Sequence, residues 1–191
     1  LEFRRVLFRS ISNVDRTAAR SKFGWLPDEF VVIHSGNMGA KQDLENVVRA
    51  ANALSGFSKI KIYLVGHGNQ ESKLKALCLG KSNISLLPAV SDADYSALLS
   101  AADLLLVNER STQMEMSLPS KLTSYLYSNR PVIAAVPRDG ATWKFLDGVA
   151  ELVEAGDPKA LALRIKELSE NPNRLDELAR LGSAFAVKNL D

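Results

Sequence analysis

Short apolar runs alternate along this chain with stretches in which apolar positions recur every three or four residues. Phe30-Val31-Val32-Ile33 opens the series, and the runs at 60–65, 84–87, 104–108 and 131–135 continue it, with a shorter one at 151–154. Val, Ile and Leu fill both alternating sets of positions in these runs, which is the pattern of strands covered on two faces. Helical periodicity occupies 44–54, 70–79, 92–101, 120–128, 142–146, 158–170 and 173–188, with a shorter helix at 15–23. Strands alternating with helices predict an α/β, Rossmann-like doubly wound parallel sheet. In such a sheet ligands sit beyond the carboxyl ends of the strands. The loops of interest are therefore 35–43, 66–69, 88–92, 108–121 and 136–142.

Among these, His34-Ser35-Gly36-Asn37-Met38-Gly39-Ala40-Lys41-Gln42-Asp43 carries the clearest chemistry. Strand, glycine turn and helix start follow one another, so backbone N–H groups can approach an anion closely. Lys41 adds a positive charge, and the segment reads as a phosphate cradle. A second loop, Gly66-His67-Gly68-Asn69-Gln70, repeats the Gly-x-Gly turn. The dinucleotide fingerprint would need a third glycine and an acid at the end of the next strand. Glu71 and Leu87-Pro88 stand at those places, which speaks against a nicotinamide cofactor. The other reading of this loop is a tight strand-to-helix turn beside the cleft. In a third segment, Pro119 suits a first helical position and puts Ser120 and Lys121 at a helix start. Lysine is disfavoured there unless an anion is bound, so Lys121 is either a phosphate ligand or a solvated surface residue.

Composition narrows the classes. The chain has 191 residues with 46% hydrophobic and 24% charged positions, as suits one α/β domain. No apolar run approaches the roughly 20 residues of a bilayer span. Cys78 is the single cysteine, which removes an internal disulfide framework and fits a cytoplasmic setting. Leu1 to Ser10 reads like the in-frame translation of a sequencing-adapter oligonucleotide, the alternative being a genuine basic amphipathic segment. It holds Arg4, Arg5, Arg9 and Glu2; taking three from 24 basic and one from 22 acidic residues leaves 21 of each. A balanced remainder gives no electrostatic footprint for nucleic acid.

Five segments in order, Gly36-Asn37-Met38-Gly39-x-Lys41-Gln42, Val65-Gly66-His67-Gly68, Leu118-Pro119-Ser120-Lys121-Leu122, Arg130-Pro131-Val132-Ile133-Ala134 and Gly156-Asp157-Pro158-x-Ala160-Leu161, resemble the C-terminal half of a GT-B glycosyltransferase. Within that fold the chain is most similar to the retaining bacterial family of cell-surface enzymes of the colanic-acid, exopolysaccharide type. The resemblance implies a donor domain that binds a nucleoside-diphosphate sugar and serves transfer to a polysaccharide or lipid-linked acceptor. By the same resemblance, Gly36, Asn37, Gly39 and Lys41 lie against the diphosphate, joined by Ser120, Lys121 and Leu122. Gly66, Ala89, Val90 and Ser124 fall on the base and ribose side.

Two departures stand out. Relatives carry paired glutamates eight positions apart; Ser124 occupies the second place, and Met116, with Glu115 beside it, the first. The arginine usual in the first glycine loop is here Asn37. The resemblance further implies that 11–29 leads in from a missing N-terminal domain, that 30–191 is the donor domain cut short at its C-terminus, and that catalytic groups lie partly in the missing half. The fragment alone is then expected to be inactive. Any peripheral contact with the inner face of the membrane would also use that half. No cofactor and no metal site are expected, since no His/Cys/Asp/Glu set has ligand spacing. His34 and His67 are read as loop residues near strand ends, Cys78 as core, Trp143 as packing under its loop, and Glu109, Arg110, Arg138, Asp139 and Gly140 as residues of cleft loops. Two other functions remain open: a non-catalytic nucleotide-binding module, and a sugar-nucleotide epimerase, for which the cleft offers no convincing acid–base set.

Overall fold

The computed structural model describes residues 14–112 and 118–190. Helix α1 (Arg16–Phe23) is capped by the Asp15 side chain, which accepts from the Thr17 N–H, and ends on Gly24 at φ 70°. Then come β1 (Phe30–Asn37), α2 (Leu44–Ala53), β2 (Ile60–His67), α3 (Glu71–Cys78), β3 (Ile84–Leu87), α4 (Asp92–Ala101), β4 (Leu104–Asn108), α5 (Lys121–Tyr127), β5 (Val132–Val136), α6 (Ala141–Leu146), β6 (Glu151–Glu154), α7 (Pro158–Ser169) and α8 (Pro172–Asn189). All six strands are parallel in the order β3-β2-β1-β4-β5-β6. This is the doubly wound sheet expected from the apolar runs, with the order reversing between β1 and β4.

Two-sided burial follows from the strand sequences. Val32, Ile62, Leu64, Leu104, Leu106 and Ile133 pack beneath α2, α3, α7 and α8 on one face. Val31, Ile33, Leu105, Val107, Val132 and Ala134 pack beneath α4, α5 and α6 on the other. The segment Gly156-Asp157-Pro158 turns out to be a helix start: Asp157 Oδ1 accepts from the Ala160 N–H at 2.9 Å, with Pro158 in the first turn. Cys78 is buried in the first core, as expected.

The strand ends differ from the sequence reading in a way that matters. β1 runs to Asn37 and β2 to His67, each beyond its expected end. Gly36 and Gly66 therefore lie in paired strand, opposite one another, and not in loops. His34 is likewise inside β1 and fully buried, which corrects its placement in a loop, while His67 ends β2 in solvent. Two neighbouring glycines let two backbones close in where side chains would hold them apart. Leu1 to Ser10, with 11–13, lies outside the described residues, as do Glu115, Met116 and Ser117.

Candidate functional site

At the carboxyl end of the sheet, next to the β1/β4 switch point, lies a cleft of about 380 Å³. Five of the residues singled out from the sequence line it: Gly36, Asn37, Gly66, Ala89 and Val90, along with Tyr95. Gly36 has φ 116° and Gly66 φ 145°, conformations that side chains rarely adopt. Their loops interlock through the backbone. Met38 N–H donates to His67 O at 2.8 Å, and Gln70 N–H donates to Met38 O at 2.9 Å. The Asn37 amide lies between Gly39 and Gly68, where a Cβ on Gly39 would be 2.8 Å from its Nδ2 and one on Gly68 would be 2.7 Å from its Oδ1.

The open nest of N–H groups expected over 36–43 is largely closed. Gly39 N–H donates to Gln42 Oε1 at 3.1 Å, Gln42 N–H to Gly39 O at 3.2 Å, and Asp43 N–H to Ala40 O at 3.4 Å. A 3₁₀ turn (Ala40–Gln42) separates β1 from α2, and Lys41 sits on it with an exposed side chain. Asp43, at φ 41°, turns the chain into α2. Its carboxyl is pushed up by burial, against the pull of Arg49 and Arg110. The charge facing the glycines is supplied elsewhere.

That charge is Lys121. A Cβ on Gly36 would lie 3.5 Å from the Lys121 amine, so the lysine crosses the bare backbone of Gly36. Its Nζ stands 3.1 Å from Nε2 of buried His34. Burial lowers the Lys121 pKa to about 7, with Glu109 opposing the shift. Burial also holds His34 well below its usual value, reinforced by the Lys121 charge. With His34 neutral, the tautomer of the ring sets which of the two nitrogens donates in this contact. Lys121 is therefore no solvated surface residue but a half-buried amine aimed at the cleft floor. Its position on α5 adds little dipole, because that helix has only seven residues.

The other expected residues are placed as follows. Ser120 precedes α5, exposed and without a side-chain cap. Leu122 points into the core and its N–H already donates to Pro119 O at 3.0 Å. Ser124 meets the hydroxyl of Tyr95, which also contacts Ser35 Oγ at 3.1 Å, so the expected ribose position adjoins the cleft through Tyr95. Glu109 accepts from Thr142 Oγ1 at 2.6 Å on the way to Lys121. Arg110 donates its N–H to Lys41 O at 2.9 Å. Arg138 pairs with Glu154 on the surface and lies over the half-buried Trp143 ring, 5.1 Å from its centre. Among the described residues no three His, Cys, Asp or Glu side chains gather as a metal would require. No helix among them is long and apolar enough to cross a membrane.

Three braces of the cleft had no signature in the sequence. Tyr125 Oη accepts from the Ser35 N–H at 2.8 Å, fixing β1 just before Gly36. Tyr95 closes the side wall. Asn108, at the end of β4, donates to Gln42 O at 2.8 Å and accepts from Asn46 Nδ2 at 2.9 Å, tying the 3₁₀ turn and α2 to the sheet. Replacing Asn108 by alanine strands a half-buried carbonyl and a buried amide. An expected loss of about 2 kcal/mol follows from the usual penalty for unsatisfied groups, measurable as a lower urea midpoint.

Known proteins share this fold. Residues 15–184 match the family model described as "Glycosyl transferases group 1". WcaI of Escherichia coli (strain K12), assigned as a colanic acid biosynthesis glycosyl transferase, is 30% identical over 165 residues, covering 84% of this chain and 40% of that protein. Anabaena Alr3699/HepE, solved in complex with UDP, superposes with a TM-score of 0.81 at 19% identity, over 96% of this chain and 51% of the other. The C-terminal domain of the group 1 glycosyl transferase LpcC from Francisella tularensis superposes with a TM-score of 0.72 at 15% identity, covering 93% of both chains.

Proposed function

The chain belongs to the group 1 glycosyl transferases and has the fold of the C-terminal half of a GT-B enzyme, and from that premise we propose that it binds the nucleoside-diphosphate sugar donor for transfer to a surface polysaccharide or lipid-linked acceptor. The observation that carries the reading is Lys121 lying across Gly36, a residue that lines the cleft. A diphosphate resting on the bare backbone of Gly36 meets this amine directly. The nucleoside extends toward Ala89, Val90 and Tyr95, with Ser124 behind the tyrosine hydroxyl. As the glycosidic bond to the donor breaks, negative charge grows on the departing diphosphate. Lys121 sits fixed where that charge develops, and a preorganised cation is the most effective stabiliser of it. Lys41, Asn37 and Gly39 flank the same place. The acceptor and the groups that act on it belong to the rest of the protein, since the chain spans 40% of the curated relative it matches.

The HepE complex with UDP supports a nucleoside diphosphate as the ligand class, and the WcaI match supports exopolysaccharide synthesis as the setting. A cytoplasmic enzyme, as the lone Cys78 led us to expect, is part of the same proposal. The epimerase and sensing-module readings are not favoured, because the family match is to transferases and, among the described residues, no carboxylate lines the cleft. The test is calorimetric titration of the full-length protein with UDP and GDP and with UMP and GMP. The preferred diphosphate is expected to bind about tenfold or more tighter than its monophosphate, a difference of about 1.4 kcal/mol. Equal affinities would remove the cradle from the argument.

A further inference from the structure

A second cavity lies at the opposite end of the sheet. It occupies about 830 Å³ beneath the amino ends of β1, β4 and β5, against α8. β1 alone separates it from the donor cleft by roughly 23 Å, from a rise of about 3.3 Å per residue. Arg16, Arg130 and Arg180 line it, against Asp103 and Asp176. Asp103 is already engaged: Arg16 and Arg20 both pair with its carboxylate, which also accepts from the Val31 N–H at 2.7 Å. Two arginines thus share one carboxylate, and the remaining cations exceed the acids.

Arg130 is the residue this arrangement leaves over. It follows the turn at Asn129, which takes φ 53°, and feels the Asp103 carboxylate only at a distance, against the repulsion of Arg16 and Arg20. Its Nε is shut off from solvent without a partner, as is that of Arg16. Burying a charged donor without an acceptor is costly unless the acceptor arrives with a ligand. Arg16 and Arg130 both line this one space, and arginine grips the paired oxygens of a phosphate in a fork. A space of this size exceeds one phosphate and falls within the range of organic ligand sites. We propose that this cavity is a second anion site, distinct from the donor cleft, that binds a phosphate-bearing group through Arg130 and Arg16.

Two sources share that chemistry, a free phosphate compound and a phospholipid headgroup. The test uses the full 191-residue chain, ¹⁵N-labelled, at about 20 mM ionic strength so that screening is weak. Inorganic phosphate is titrated while the Nε–Hε resonances of Arg130 and Arg16 are followed, with exposed Arg49 as the reference. A saturable shift at Arg130 and Arg16, absent at Arg49, is expected. Arg130→Lys keeps the charge but loses the fork, and should weaken the response at Arg16 by about tenfold while leaving the thermal midpoint near that of the parent. In parallel, cosedimentation with phosphatidylglycerol vesicles is compared with phosphatidylcholine alone. Lipid-selective binding that Arg130→Lys weakens, without saturation by free phosphate, would assign the site to a headgroup. If phosphate shifts Arg130 no differently from Arg49 and the vesicles bind either not at all or regardless of Arg130→Lys, the second site does not exist.

Discussion

Replacing Gly66 by alanine is expected to lower stability by about 4 kcal/mol, enough to leave a marginal domain largely unfolded. The reason is backbone, not chemistry. A Cβ at Gly66 would land on the carbonyl oxygen of Gly36, 2.9 Å from its carbonyl carbon and 3.3 Å from its nitrogen. No rotamer can relieve a clash between a Cβ and a strand backbone, so β1 and β2 must part or Gly66 must leave φ 145°. Overpacking costs about 1–3 kcal/mol and a side chain held at such a φ about as much again. Two other glycines calibrate the result. Gly56→Ala meets nothing within 4 Å and carries no positive φ, so it should stay within about 0.5 kcal/mol of the parent. Gly24→Ala meets nothing either but sits at φ 70° on the end of α1, and should cost about 1 kcal/mol. Trp25, buried and stacked between Phe23 and Tyr63, reports unfolding by fluorescence in urea. If Gly66→Ala unfolds at the same urea concentration as Gly56→Ala, the close approach of the two strands is not real.

That same close approach marks where the sequence was legible and where it was not. Apolar runs bounded by turn residues located all six strands, because covering both faces of a parallel sheet forces Val, Ile and Leu into consecutive positions. The helix start at Asp157-Pro158 was visible because capping is local chemistry, whereas the last helix begins at Pro172, one residue before its expected start. The ends of β1 and β2 were not, since Gly-Asn and Gly-His read as turns to any rule that sees one strand at a time. Only the pairing of Gly36 with Gly66 shows that both belong to the sheet. The cleft was legible in outline for a related reason: Gly36, Asn37, Gly66, Ala89 and Val90 all follow strands, and topology alone gathers such residues. Its supports were hidden. His34 to Lys121, Ser35 to Tyr125 and Asn46 to Asn108 are contacts between residues 87, 90 and 62 positions apart. Nothing in the periodicity of either partner announces them. Lys121 drew attention as a cation in an unfavourable place, yet its burial against a histidine depends on where β1 runs.

Lys121→Met should therefore separate binding from stability. Methionine keeps the length and apolar stem while removing the amine, so the affinity of the full-length protein for its nucleoside diphosphate should fall about 100-fold, or about 2.7 kcal/mol. The free domain should lose less, because relief of the buried amine offsets the lost contact with His34 and the pull of Glu109. The pH dependence gives the sign. In the folded chain Lys121 is lowered to about 7 from an ordinary 10.5, so above pH 7 the unfolded chain holds a proton that the folded one has released. Stability from this group consequently rises with pH from about 7 upward and is lost as pH falls through 7. His34 acts in the same direction below its ordinary 6.5, whereas Cys78, Tyr63, Tyr95 and Tyr125, all pushed up by burial, act oppositely at higher pH. The window from pH 7 to 8.5 isolates the lysine when parent and Lys121→Met are compared. Across it the parent should gain up to about 1.5 kcal/mol relative to the variant, given at most about 1.4 kcal/mol per pH unit. Binding should show the mirror image. A diphosphate restores the charge, so parent affinity falls as pH rises above 7 and complex formation takes up a proton, while the variant's affinity stays flat. Parallel stability curves for the two proteins, or a parent affinity indifferent to pH between 7 and 8.5, would place the Lys121 amine in solvent and away from the diphosphate.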